Sequence, residues 1–171
     1  ICQEGGLVPI VEPEVMMDSD HDIDRCDQVT TLTLNTVFDE LYAQGVALEG
    51  MILKPNMVIS GSDCKTQAGI DEVAERTVQR LMRCVPAAVP GIMFLSGGQS
   101  EEDATAHLNA MNAKFTPVPW KLSYSYGRAL QQSCLKAWQG DARNVSAAQA
   151  VLLERAQANS AACAGSYAKA A

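Results

Sequence analysis

The chain has 171 residues, of which 47% are hydrophobic and 19% are charged, a composition typical of one globular domain. Its net charge of −7 argues against nucleic acid or an anionic membrane as the main partner. It contains no apolar run near the roughly 18 to 20 residues that a membrane span needs, and no signal-peptide pattern, so we expect no membrane association.

The first predicted strand is 8–11, and apolar periodicity predicts a helix from about Asp22 that stops near Gly45. The second strand is 51–53. The helix after it has an apolar face, and we predict that this face is buried; it carries Ile70, Val73, Ala74, Thr77 and Leu81.

The third predicted strand is 92–95, and Ser100 with Asp103 resembles a capping box that opens the next helix. The fourth strand is 120–125. Two alanine-rich helices, about 129–138 and 145–162, close the chain. Strands that alternate with helices in this way predict an α/β fold with a parallel sheet.

Four βα units cannot close an eight-stranded barrel, which typically needs about 250 residues. Either the sheet is open, or half of the protein is absent from this sequence. The first residue is Ile1 rather than methionine and leads almost at once into an apolar strand. We therefore expect the chain to be part of a longer polypeptide.

Cysteine and acidic residues do not form a metal-binding or disulfide pattern. The six cysteines are scattered without a C-x-x-C pair, and only two histidines are present, so we expect reduced, mostly buried thiols. The acidic run 18–22 fails as a calcium loop, because Ile23 and Val29 stand where glycine and glutamate are required. We predict a loop and a helix N-cap there, and no bound metal.

Reactive groups in α/β barrels lie at the carboxyl ends of the strands. Lys54 directly follows the second strand. An ordinary lysine is almost fully protonated at neutral pH, so a nucleophilic amine needs apolar walls or nearby cations that favour its neutral form. In such surroundings Lys54 could attack a ketone and form a Schiff base. The alternative is a structural lysine whose charge reaches water from a strand end.

Glu12 ends the first strand, and Glu14 lies on the same side two residues later, because strand side chains alternate. A carboxylate beside Lys54 could move protons while a carbinolamine forms and loses water. The alternative, which the pattern alone favours, is a pair of ordinary carboxylates that bind basic neighbours.

Two glycine-containing turns follow the third and fourth strands. Backbone N–H groups before a helix can hold a phosphate, and an arginine adds a charged fork. The residues predicted to do so are Ser96, Gly97, Gly98, Ser125, Gly127 and Arg128. The alternative is two ordinary strand-to-helix turns.

Seven segments resemble, in order and spacing, the second half of the class I fructose-bisphosphate aldolases: GLVPIVEPEV, DSDHD, LEGMILKPNMV, VPAAVPGIMFLSGGQSEE, LNAMN, PWKLSYSYGRALQ and AQANS. The resemblance covers nearly the whole chain. It implies a single-domain (β/α)8 TIM barrel of which residues 1–171 are the C-terminal half, strands 5 to 8 and the C-terminal helices, with the N-terminal half absent.

The resemblance implies a site without a cofactor, in which Lys54 forms the Schiff base and Glu12 is the acid and base. Glu14 would be a neighbouring substrate-binding carboxylate, and the two glycine-containing turns would hold the C1 phosphate of fructose 1,6-bisphosphate. The products would be the triose phosphates dihydroxyacetone phosphate and glyceraldehyde 3-phosphate. A glycolytic, cytoplasmic homotetramer is implied, with a plastid location left open.

Three features depart from the family pattern. The first four strands are missing, so we expect the 171 residues alone to be catalytically poor. The flexible tail that ends in tyrosine in the family has no counterpart after 167–171. In the DSDHD segment, Ser19 stands where family members commonly have glycine. Two other hypotheses stay open: a non-catalytic half-barrel that binds a sugar phosphate or a protein, and a metal-dependent aldolase, which the scarcity of histidines disfavours.

Overall fold

A computed structural model of the chain describes residues 1–115 and 117–168. This part contains a four-stranded parallel sheet in the order β1-β2-β3-β4, with strands Ile10–Val11, Ile52–Leu53, Gly91–Phe94 and Lys121–Tyr124. The helices α1 to α5 are Ile23–Ala43, Ile70–Cys84, Glu101–Lys114, Arg128–Trp138 and Val145–Cys163. The α/β prediction with a parallel sheet is confirmed.

The parallel register brings the carboxyl ends of all four strands to one edge of the sheet. Val11 is paired with Leu53, Leu53 with Ile92, and Phe94 with Tyr124. β1 and β2 are short because Pro13 and Pro55 follow them closely, and proline has no N–H to continue a ladder. The residues after each strand therefore lie side by side along this edge.

Local signals set the ends of α1 as predicted. The Asp22 side chain accepts a hydrogen bond from the Arg25 N–H at 2.8 Å, which caps the first turn. Gly45 has a φ of +66° just beyond the helix, a conformation that glycine adopts without strain. The acidic run before α1 thus ends in an N-cap, as its sequence indicated.

The predicted buried face of α2 is correct at four of its five positions. Val73, Ala74, Thr77 and Leu81 are buried, whereas Ile70 is 41% exposed. Ile70 is the first residue of the helix, where the chain has only just left the preceding loop. Its spacing matches the apolar face, but its place in the first turn of α2 leaves it exposed.

The core forms where the strands meet the helices packed against them. Its strand residues include Leu53, Ile92 and Phe94, each fully buried. The open side of β1 is different, because three apolar side chains there, Leu7, Val8 and Ile10, are 59% to 66% exposed. An edge strand of this kind normally pairs with another strand or is covered.

All six cysteines are free thiols, but the expectation that most are buried is wrong. Only Cys26 is buried; Cys2 is exposed and the other four are partly exposed. The apolar core takes its volume from leucine, methionine, valine and phenylalanine instead.

Within residues 1–115 and 117–168, none of the helices is long and apolar enough to cross a membrane.

Candidate active site

Lys54 and Glu12 meet at the carboxyl end of the β1–β2 pair. The Lys54 N–H donates to the Val11 carbonyl at 2.8 Å, and this ladder bond sets the two side chains beside each other. Lys54 Nζ lies 2.7 Å from Glu12 Oε1, and their side chains are 20% and 45% exposed. The distance is short enough for direct proton transfer between a carboxyl group and the lysine or an atom bound to it.

Glu14 lies against the turn that follows β3. A Cβ placed on Gly97 would lie 3.2 Å from Glu14 Oε1. The carboxylate therefore rests against the backbone that follows β3. Glu12 and Glu14 both lie beyond the end of β1, so their positions follow from the loop contacts and not from the alternation of a regular strand.

The Ser96-Gly97-Gly98 turn is closed by a bond from the Gln99 N–H to the Ser96 carbonyl at 3.2 Å. Ser96 is 7% exposed. Gly98 has a φ of +74°, and a Cβ there would lie 2.5 Å from the Met17 Cβ. Glycine is therefore required at this position both by backbone conformation and by space.

The turn after β4 lies next to the Ser96-Gly97-Gly98 turn. The Ser125 N–H donates to the Phe94 carbonyl at 2.9 Å, which joins the ends of β3 and β4. Gly127 is the N-cap of α4, and exposed Arg128 is its first residue. A helix N-terminus and an arginine both favour an anion.

The structure thus places every predicted site residue along one edge of the sheet, after four adjacent strands. A cavity of about 660 Å³ lies elsewhere, between the 60–68 loop and the start of α1, and is lined by none of these residues. The sheet edge is open on the side of β1, where the Glu12 side chain is 45% exposed.

Two polar groups near this edge belong to none of the motifs recognised in the sequence. Asn56 is 3% exposed and forms hydrogen bonds to three neighbours; a polar residue inside the apolar run 51–59 was the available signal. His107 on α3 is buried, and its Nδ1 lies 2.7 Å from Gln99 Oε1. Its ring therefore supports the residue that follows Gly98.

Burial alters the titration of two groups behind the two turns. It lowers the pKa of His107 to about 4, although the charge of Asp103 opposes this. It also raises the pKa of Tyr126 well above its ordinary value. The Tyr126 hydroxyl donates to the Ala104 carbonyl at 2.9 Å. Both rings are thus neutral at physiological pH and act as fixed supports.

Comparison with known proteins yields the same family throughout. A family model described as fructose-bisphosphate aldolase class-I matches residues 1–171. The chain is 57% identical over 168 residues to a probable fructose-bisphosphate aldolase class 1 of Xylella fastidiosa, covering 98% of this chain and 50% of that protein. It is 58% identical over 167 residues to the cytoplasmic isozyme of Spinacia oleracea, covering 98% of this chain and 46% of that protein.

A solved structure also matches, that of fructose-bisphosphate aldolase from Plasmodium falciparum in complex with TRAP and a small-molecule inhibitor. The TM-score is 0.95 at 51% identity, covering 99% of this chain and 48% of that one. The chain spans about half the length of the relatives it matches. Its four strands are the C-terminal half of a TIM barrel, and the chain belongs to the class I fructose-bisphosphate aldolase family.

Proposed function

We propose that this chain is the C-terminal half of a single-domain enzyme that reversibly cleaves fructose 1,6-bisphosphate into dihydroxyacetone phosphate and glyceraldehyde 3-phosphate. Family membership along the whole chain supports the reaction type. The observation that carries the residue assignment is the 2.7 Å contact between Lys54 Nζ and Glu12 Oε1 at the carboxyl edge of the sheet.

In the proposed mechanism Glu12 takes a proton from Lys54, and the free amine attacks C2 of the ketose. Glu12 donates a proton to the oxygen as the carbinolamine loses water, leaving an iminium ion. The iminium withdraws the electron pair of the C3–C4 bond as it breaks, and a carboxylate from the other half of the barrel accepts the proton of the C4 hydroxyl. Protonation and hydrolysis of the resulting enamine then release dihydroxyacetone phosphate. The covalent imine serves as the electron sink, so the proposal includes no cofactor or metal.

The C1 phosphate is proposed to bind over the two adjacent turns. Gly97 and Gly98 offer backbone N–H groups without a side chain in the way, and Ser96 and Ser125 add hydroxyl groups. Arg128 supplies positive charge at the start of α4, where the helix dipole also favours an anion. Glu14 lies against Gly97, which supports a role in accepting hydrogen bonds from substrate hydroxyl groups between the lysine and the phosphate.

The proposal extends to assembly and location. The exposed apolar side chains at β1 are in the position where the fourth strand of a complete barrel would pair. A barrel without its first four strands cannot hold the second phosphate, so we expect little activity from residues 1–171 alone. Resemblance to the family supports a homotetramer. A relative named as a cytoplasmic isozyme supports a cytoplasmic location, with a plastid form still open.

Borohydride trapping tests the residue assignment. The complete polypeptide is incubated with dihydroxyacetone phosphate, reduced, digested and analysed by mass spectrometry. We expect the adduct on Lys54, and Lys54→Met should abolish both labelling and cleavage. Glu12→Gln should lower kcat by about 100- to 10,000-fold, the range typical of a general acid–base group.

Lys121→Met is the matched control. Lys121 is also on a strand, but it begins β4 at the opposite edge of the sheet and is exposed. Its loss should leave kcat within about twofold of the native value, because surface changes away from the site have small effects. An adduct on another lysine, or full activity in Lys54→Met, would refute the assignment.

Mass analysis of the intact polypeptide also distinguishes an enzyme of about twice this length from a half-barrel binder.

A further inference from the structure

The segment that carries Glu12 and Glu14 leaves the sheet just where regular pairing stops. Its last ladder bond is the one from the Lys54 N–H to the Val11 carbonyl, at 2.8 Å. Pro13 and Pro55 follow in the two neighbouring strands, and neither can donate a backbone hydrogen bond. The ladder therefore cannot fix residues 12–14 by itself.

Asn56, one residue beyond Pro55, fixes the 12–14 segment through its side chain. The Val15 N–H donates to Asn56 Oδ1 at 3.2 Å, in a buried environment. Glu12 and Glu14 are thus enclosed between two attachments to the β2 segment: the bond to the Lys54 N–H before them and the bond to the Asn56 side chain after them. Both attachments originate from the strand that presents the Lys54 amine.

The Asn56 amide is itself held in one orientation. Its Nδ2 donates to Thr30 Oγ1 on α1 at 3.1 Å and to the Met57 carbonyl at 3.1 Å. Asn56 and Thr30 are only 3% and 2% exposed, so water cannot replace these partners easily. A side chain with both amide atoms bound acts as a rigid link between α1, β2 and the loop after β1.

We infer that Asn56 is a positioning residue for the two carboxylates: it holds the 12–15 loop so that Glu12 stays within proton-transfer distance of Lys54. This inference rests on the proposed function for the roles of Lys54 and Glu12. The Asn56 Nδ2 already donates to Thr30 and Met57, so the inferred role is exerted through the loop and not on the substrate. Loss of its link lets the loop move relative to the amine, and a displacement of about 1 Å can cost about 100-fold in rate.

Asn56→Leu in the complete polypeptide is the main test, because leucine has a similar volume and no hydrogen-bonding atoms. We expect kcat to fall about 10- to 100-fold. KM for fructose 1,6-bisphosphate should change by a smaller factor, because the phosphate-binding turns after β3 and β4 are untouched and only the contact of Glu14 with substrate hydroxyl groups is loosened. Borohydride-trapped imine should form on Lys54 more slowly but reach the native extent. Asn56→Asp keeps an oxygen for the Val15 N–H and should recover most of the lost kcat.

Thr30→Val is the matched control. It removes one buried hydrogen bond from the same amide but leaves the Val15 contact and the Met57 contact in place. The variant should lose about 1 kcal/mol of stability and keep kcat within about twofold of the native value. If Thr30→Val lowers kcat as much as Asn56→Leu does, the role of Asn56 is general stability and the inference is wrong.

Other outcomes separate this inference from the proposed function. If Lys54 is labelled in the native enzyme and folded Asn56→Leu keeps its native kcat, only the inference fails. If Lys54 is not labelled at all, the proposed function fails first. Should Asn56→Leu not fold, Asn56→Ser is measured instead, because its shorter side chain cannot reach the Val15 N–H but causes less disruption; the same fall in kcat is expected, and a native kcat would overturn the inference.

Discussion

Arg80 on α2 donates from Nε to Oδ1 of Asp27 on α1 at 2.5 Å, and this contact joins the first two helices. Arg76, one turn earlier, donates to the other carboxylate oxygen at 3.1 Å. Burial alone would raise the pKa of Asp27, but hydrogen bonds and the charges of Arg80 and Arg76 hold it below its ordinary value. The ionised carboxylate is therefore the form that the native helix pair requires.

Replacement of this carboxylate should destabilise the protein. Asp27→Asn keeps the shape but leaves two guanidinium groups without their shared anion, and we expect a loss of about 1 to 3 kcal/mol at pH 7. The midpoint of urea denaturation of the complete polypeptide measures it. Asp24→Asn is the control, because Asp24 binds Arg76 from a side chain that is 66% exposed, and such pairs contribute less than about 1 kcal/mol.

The sign of the pH dependence follows from the lowered pKa of Asp27. Its contribution is fully present above the unfolded-state value, near pH 4, and is lost as the pH falls through the folded-state value. Asp27→Asn should therefore reduce the fall in stability below pH 4 relative to the native protein. Equal acid sensitivity in both proteins would contradict this account of the α1–α2 contact.

His107 should make the stability of the folded protein depend on pH in a second, higher pH range. Its folded-state pKa is about 4, below the ordinary 6.5. The unfolded chain therefore binds a proton first, and stability is lost as the pH falls from about 6.5 to about 4. The shift corresponds to roughly 3 kcal/mol over this window.

His107→Asn is the variant for this measurement, because asparagine can still bind Gln99 but does not titrate between pH 4 and pH 7. Its denaturation midpoint should vary less over this range than that of the native protein. A native dependence in His107→Asn would show that the buried imidazole is not its source.

Gly98 should tolerate no side chain, whereas Gly127 should. Gly98→Ala places a Cβ at a φ of +74° and 2.5 Å from the Met17 Cβ, and we expect a cost of about 2 to 4 kcal/mol from strain and overlap. A Cβ on Gly127 meets no atom within 4 Å, so Gly127→Ala should cost less than about 1 kcal/mol. Denaturation midpoints of both variants test this, and equal values would count against the described turn.

Several elements could be predicted from the sequence because their causes are local. Asp22 and Ser100 cap α1 and α3 through bonds to residues three positions later, and Gly45 follows α1 because few other residues adopt its backbone conformation. The predicted α5 differs from the observed helix by one residue at its end. Such features depend on neighbours within one turn of chain, which periodicity and residue type reveal.

The candidate site could be predicted only in part from the sequence. The position of Lys54 after an apolar run indicated the edge of the sheet, but its pairing with Glu12 depends on the register between β1 and β2. The contact of Glu14 with the Gly97 turn joins segments more than 80 residues apart. Ile70 shows the opposite failure, because its spacing predicted burial and its place in the first turn of α2 left it exposed.

The sequence by itself determined the order of strands and helices, the helix caps, the glycine turns and the position of the lysine, since each depends on short-range sterics and hydrogen bonds. Only the tertiary structure decided that Asn56 joins the carboxylate loop to the lysine strand and that His107 supports the turn after β3. A buried polar group is stable only with its partners, and those partners come from segments that meet only when the sheet and helices pack together.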